Sequence, residues 1–218
     1  MKRTIIFVVA VWCAMLVRPE SGHALTLSLC GAYDSTNPTV TDNQATTYET
    51  STIPTYGGGI LLDQALPFFK LELETGVLSI QRKMGWTSTA LGITYVNTWT
   101  LNDIQVPAVV RFTPFKFLSL GAGFVFNFGQ GNVTEDQIDY SGGGNSFSGL
   151  SMSYGEANWI SQDSAYEISA QVRIPMGMHW SFLVDGNYQV GIQNMDELDQ
   201  TVTKINMVQI LAGFSYHL

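Results

Sequence analysis

The feature that most restricts this chain is a period of two. In FFKLELETGVLSI, residues 68–80, Phe69, Leu71, Leu73, Thr75 and Val77 fall on one side, and Lys70, Glu72, Glu74, Gly76 and Leu78 on the other. Successive side chains of a strand point to opposite faces, so the pattern predicts a strand with two unlike faces. It recurs along the chain. Leu25, Leu27, Leu29 and Tyr33 share a parity, as do Tyr56, Ile60 and Leu62. Ile104, Val106, Ala108, Val110 and Phe112 oppose Gln105, Val109 and Arg111, and Leu118, Leu120, Ala122, Phe124, Phe126 and Phe128 oppose Ser119, Gly121, Gly123 and Asn127. Tyr166, Ile168, Ala170, Val172 and Ile174 stand against Glu167, Ser169, Gln171 and Arg173; Trp180, Phe182, Val184 and Tyr188 stand against Ser181, Asp185, Asn187 and Gln189. The last segment sets Val208, Ile210, Ala212, Phe214, Tyr216 and Leu218 against Gln209, Gly213, Ser215 and His217. Eight strands are therefore expected, most of them about 10 residues long, the length that crosses a bilayer when tilted.

The connections alternate in length. Short ones, at 63–67, 114–117 and 175–179, alternate with long ones at 34–54, 82–97, 129–164 and 192–202. An up-and-down barrel puts all tight turns at one rim and all long loops at the other, an ordering that Greek-key sandwiches have no reason to show. Aromatic residues form two sets along the strands. Phe69, Phe112, Phe117, Trp180, Phe214 and Tyr216 lie toward the short turns, and Tyr33, Trp99, Phe128, Tyr166 and Tyr188 toward the long loops. Two girdles are expected where strands cross two membrane interfaces.

The chain opens MKRTIIFVVAVWCAMLVRPESGHA, with Lys2 and Arg3 before an apolar run from Ile5 to Val17 and a small-x-small site ending at Ala24. This reads as a cleaved secretory signal peptide over 1–24, leaving 25–218 as a single domain. The apolar run is shorter than the ~20 residues a spanning helix needs. Loss of Lys2, Arg3, Arg18 and Glu20 takes the formal charge from −8 to −10, which argues against nucleic acid as a partner. Cys30 is then the only thiol, so no internal disulfide is possible.

The ending QILAGFSYHL, with apolar residues at every second position, and the strands TLNDIQVPAVVRFTPF and KFLSLGAGFVFNF resemble the small outer-membrane β-barrel domain family, the OmpA-type and OmpX-type barrels. The resemblance is one of pattern and covers nearly all of 25–218; Leu218 departs from the Phe that usually ends such chains. It implies an all-β fold, an eight-stranded antiparallel up-and-down transmembrane β-barrel integral to the bacterial outer membrane. The implied role is structural or a surface interaction of adhesion type. The implied partners are outer-membrane lipid and lipopolysaccharide, the assembly machinery through the C-terminal strand, and an extracellular ligand through the loops, with the protein a monomer.

In such a barrel the polar parity points inward, placing a lumenal charge network of Lys70, Glu72, Glu74, Arg111, Glu167, Arg173 and Asp185. A barrel of eight strands is filled by its side chains, and buried ions there must be paired. Three alternatives follow from the same residues. A small ion-conducting pore requires those pairs to exchange partners. A soluble periplasmic barrel binding an apolar ligand requires Leu118, Leu120, Phe124, Phe126 and Phe128 to face inward. A lipid A-modifying enzyme requires His179, Ser181 and Asp185 to converge as base, nucleophile and orienting acid. The turn position of His179 argues against the last, and no enzyme is expected. His217 has no second His or Cys at ligand spacing, so neither a metal nor a cofactor is expected. The acidic groups Glu135, Asp136 and Asp139, and Asp196, Glu197 and Asp199, read as solvated loop faces.

Overall fold

A computed structural model describes residues 25–42, 47–66, 70–90, 93–115, 117–130, 134–142, 145–150, 162–194 and 201–218. The signal segment 1–24 and Phe69 lie outside the described residues, as do the side chains of both acidic groups. Among the described residues ten strands follow in order: β1 Leu25–Asp42, β2 Thr47–Ala65, β3 Leu71–Ala90, β4 Ile93–Phe115, β5 Leu118–Gly129, β6 Thr134–Gly142, β7 Asn145–Leu150, β8 Gln162–Pro175, β9 Trp180–Gly191 and β10 Thr201–His217. Every pairing is antiparallel. The sheet runs β3-β2-β1-β10-β9-β8-β5-β4, and β4 pairs back onto β3, closing a barrel of eight strands. The remaining hairpin, β6–β7, continues the sheet from the upper part of β4.

Strand parity sorts the side chains. Leu29, Tyr56, Ile60, Leu120, Tyr166, Ile168 and Phe214 are each at least half exposed on the outer face, while Gln105, Arg111, Gln171, Asp185 and Gln209 are at most 1% exposed inside. Leu120 and Phe124 facing outward removes the cavity that a soluble, ligand-binding barrel requires. An apolar exterior on a closed, hydrogen-bonded wall is what a bilayer demands, because hydrocarbon satisfies no backbone hydrogen bonds.

The lumen is not uniformly polar. Leu61, Leu78, Ile80, Leu183, Met207 and Leu211 pack together on the inner side of β2, β3, β9 and β10, interleaved along the same strands with charged residues such as Asp63, Glu74, Arg82 and Asp185. An apolar side chain fills volume in a narrow barrel without requiring a partner, which a polar one would need. Trp99, expected in the outer girdle, instead packs against Met84, Leu101 and Ile205 inside the upper barrel. Thr75, expected outside, is buried. Pro107 has no N–H to give β3, pairing lapses between Thr75↔Ala108 and Leu78↔Gln105, and the Thr75 hydroxyl donates to the Pro107 carbonyl at 2.9 Å.

The strands also outrun their expected length. Asp103↔Gly129 is the last β4–β5 pair, yet β3 and β4 remain paired up to Ala90↔Ile93, ten residues further along β4, a rise of up to ~33 Å. Segments 34–54 and 82–97, expected to be loops, are largely strand. They are rich in threonine, which favours strands, but polar and apolar residues no longer alternate regularly along them, so the pattern that marks a membrane-embedded strand disappears.

Candidate functional site

Three arginines order the charges of the lumen into layers. At the short-turn mouth, Arg173 Nη1 donates to Glu72 at 2.9 Å, and its Nη2 lies 2.7 Å from Asp63. In the next layer Arg111 is wholly buried; its Nε and Nη2 form a fork on Glu74 at 2.8 and 2.7 Å, Nη2 also donates to Asp185, and Nη1 donates to Ser169 at 3.1 Å. The layer nearest the long loops is Arg82, with Nε donating to Asp103 at 2.5 Å and the two terminal nitrogens to Asp163 at 3.0 and 3.1 Å. Between the upper two layers runs an amide relay. Gln209 donates to Asp34 and Gln105, Gln105 donates to Asn127 and Gln189, and Gln189 donates to Glu167, all at 2.8–3.2 Å.

Of the seven residues the sequence nominates, Glu72, Glu74, Arg111, Glu167, Arg173 and Asp185 have their side chains in this interior. Lys70 does not. It sits exposed in the β2–β3 turn with φ of 52°, its ammonium 3.4 Å from the Pro114 carbonyl, because the strand starts only at Leu71 and parity ends where pairing ends. Asp34, Asp63, Arg82, Asp103 and Asp163 were missed, since four of them fall at the margins of segments read as turns or loops. Extending each strand's parity would have found them: Arg82 shares it with Glu74, Asp163 with Glu167, and Asp34 with Cys30.

The nominated hydrolytic trio is not assembled. Ser181 Oγ lies 2.9 Å from Nε2 of His217, whose Nδ1 is 3.0 Å from Thr26 Oγ1; His179 instead contacts the His217 carbonyl, and Asp185 belongs to Arg111. The Ser181–His217 pair lines a polar cavity of about 190 Å³ at the mouth, beside Arg173. A threonine hydroxyl, not a carboxylate, lies on Nδ1, so the arrangement is not that of a Ser-His-Asp triad.

A closed barrel with an apolar exterior, a side-chain-filled polar interior and tight turns on one rim is a transmembrane β-barrel. The protein has the fold of that class, an eight-stranded antiparallel barrel. No protein family matches the sequence, and no curated protein does. Among solved structures the chain is similar to Ail, the attachment invasion locus protein of Yersinia pestis, at 12% identity over 88% of this chain and 99% of that one, with a TM-score of 0.42. It is similar to Neisserial surface protein A at 9% identity over 90% and 99%, TM-score 0.47. OprG of Pseudomonas aeruginosa shows 10% identity over 91% and 96%, TM-score 0.41. The class assignment rests on the chain's own geometry.

Proposed function

We propose that this protein is a display barrel: the sealed barrel anchors, and the wall that rises beyond it makes the contacts. The observation that carries the reading is the uneven rim. β1, β2, β3, β4 and β10 continue upward while β5 stops at Gly129 and β9 at Gly191, so a polar sheet extended by the β6–β7 hairpin stands over one side of the barrel. Loops and strand tips positioned by a rigid scaffold are where binding residues concentrate. Lipid and lipopolysaccharide surround the barrel, the assembly machinery engages β10, and one chain is the working unit.

The test is surface expression of the full chain in a non-adherent host, compared with a chain in which 84–100 is replaced by a two-residue turn. Binding to host cells and matrix proteins is expected for the first and lost for the second, with heat-modifiable migration kept by both. Equal binding by the two chains refutes the reading. A pore is the competing reading, favoured by the polar track from Arg173 to Arg82. In planar bilayers the display barrel gives no steady conductance, and a sustained open state would establish the pore instead.

A further inference from the structure

The turn between β8 and β9 carries side chains that a solvated turn ordinarily lacks. In Pro175-Met176-Gly177-Met178-His179, Met178 is 93% exposed and Met176 62%, with His179 exposed beside them. A single exposed apolar residue needs no explanation. Two thioethers and an imidazole within one tight turn form a set with chemistry of its own.

The fold gathers this set on the outer side of the short-turn rim. The Met176 N–H donates to the Trp180 carbonyl at 2.8 Å and closes the neck of the turn. Met176 lines an outer groove together with Trp180 and Tyr216, and the His179 ring centroid stands 5.8 Å from that of Tyr216, so Met176 and His179 flank the same tyrosine. Met178 adjoins His179 directly, with Cα atoms ~3.8 Å apart, and Gly177, where an added Cβ would meet nothing within 4 Å, leaves space around the tip. Methionine has three rotatable bonds, enough to bring both sulfurs to the imidazole.

A second observation marks the imidazole as a ligand. A carbonyl only accepts, so the 3.1 Å contact between His179 Nδ1 and the His217 carbonyl places a proton on Nδ1. The neutral ring then offers the lone pair of Nε2, to which no described residue donates. Ligating histidines are held in this way, with the other ring nitrogen donating to a carbonyl or carboxylate.

The donor set limits the ion. Residues 174–180 contain no acid and no cysteine, so hard cations find no carboxylate there, and zinc, which takes His, Cys or carboxylate, would find one ligand. Soft, uncharged thioethers select copper(I). We infer that the β8–β9 turn binds one copper(I) ion through the sulfurs of Met176 and Met178 and Nε2 of His179.

The full chain, refolded in detergent, is titrated anaerobically with copper(I) held by a competing chelator. Silver nitrate in chloride-free buffer is the redox-inert probe for NMR of the chain labelled at the methionine methyls. The inference expects the Met176 and Met178 methyls and the His179 ring to shift together, while the buried Met84 and Met207 stay unmoved. Met176→Leu and Met178→Leu conserve volume in an exposed turn and remove one sulfur each, so each is expected to weaken copper(I) by roughly tenfold or more with heat-modifiable migration kept. No stoichiometric uptake overturns the inference, as does undiminished affinity when both methionines are leucine, or equal competition by zinc. Methyl shifts that follow transfer into lipid vesicles but not addition of silver also overturn it, making the two methionines a lipid contact instead.

Discussion

Replacing Arg111 by methionine tests the layered lumen most directly. The side chain is wholly buried and donates to Glu74 twice, to Asp185 and to Ser169. Methionine fills much of the same volume but leaves both carboxylates facing a low-dielectric interior, with Gln171 Nε2 as the shared donor at 3.2 and 3.3 Å. Removing one partner of a buried ion pair costs about 3–5 kcal/mol, since the charge left behind is uncompensated. That is roughly a hundred- to several-thousand-fold in the folding equilibrium. Adding Glu74→Gln and Asp185→Asn to Arg111→Met removes the orphaned charges, and most of the loss is expected to return, because neutralising a whole buried cluster is close to neutral in free energy. Urea unfolding of the refolded barrel, followed by tryptophan fluorescence and checked on unheated gels, measures both variants. A loss under about 1 kcal/mol for the single variant, the size of a solvent-exposed pair, would refute a dry interior. Failure of the triple variant to recover would refute the charge argument itself.

Three further outcomes are expected. Ile168→Arg places a charge on a residue 62% exposed at the middle of β8; in a bilayer it is expected to cost about 2–4 kcal/mol, measured by unfolding from lipid vesicles, whereas a water-facing position would tolerate it. Gly213→Ala brings a Cβ against the Leu29 carbonyl and to 2.6 Å from Cys30 Cα, so it is expected to destabilise by about 1–3 kcal/mol, while Gly177→Ala, with nothing within 4 Å, leaves the unfolding midpoint unchanged. Cys30 is 5% exposed, its thiol turned toward the Gly59 carbonyl at 3.6 Å. A polar maleimide is expected to leave the folded barrel unmodified and label the urea-unfolded chain stoichiometrically, as mass spectrometry will show.

The embedded part of the fold was legible because bilayer and lumen impose opposite demands on neighbouring residues. Ile168 and Glu167, or Val184 and Asp185, differ so sharply that parity alone assigns them. Toward the long loops inward positions such as Asp34, Thr36, Arg82 and Met84 stay buried, but outward positions are no longer consistently apolar, so the contrast weakens and residues 34–42 and 82–90 lose their strand signature although their backbone pairing continues. The interior partnerships were hidden for another reason. Ser181 meets His217 across 36 residues and Arg82 meets Asp163 across 81, distances in sequence that only the closed ring brings together. Leu61 and Leu183 inside the barrel were likewise unreadable, since apolarity marks an outward position in most of the chain and merely fills space in theirs.

The seam between β1 and β10 runs without interruption from Thr26↔His217 to Asp42↔Thr201. β1 and β10 are the first and last of the described strands, so the cylinder acquires its final join only when the beginning of the strand order meets its end. Until that moment two naked borders are open to any passing strand.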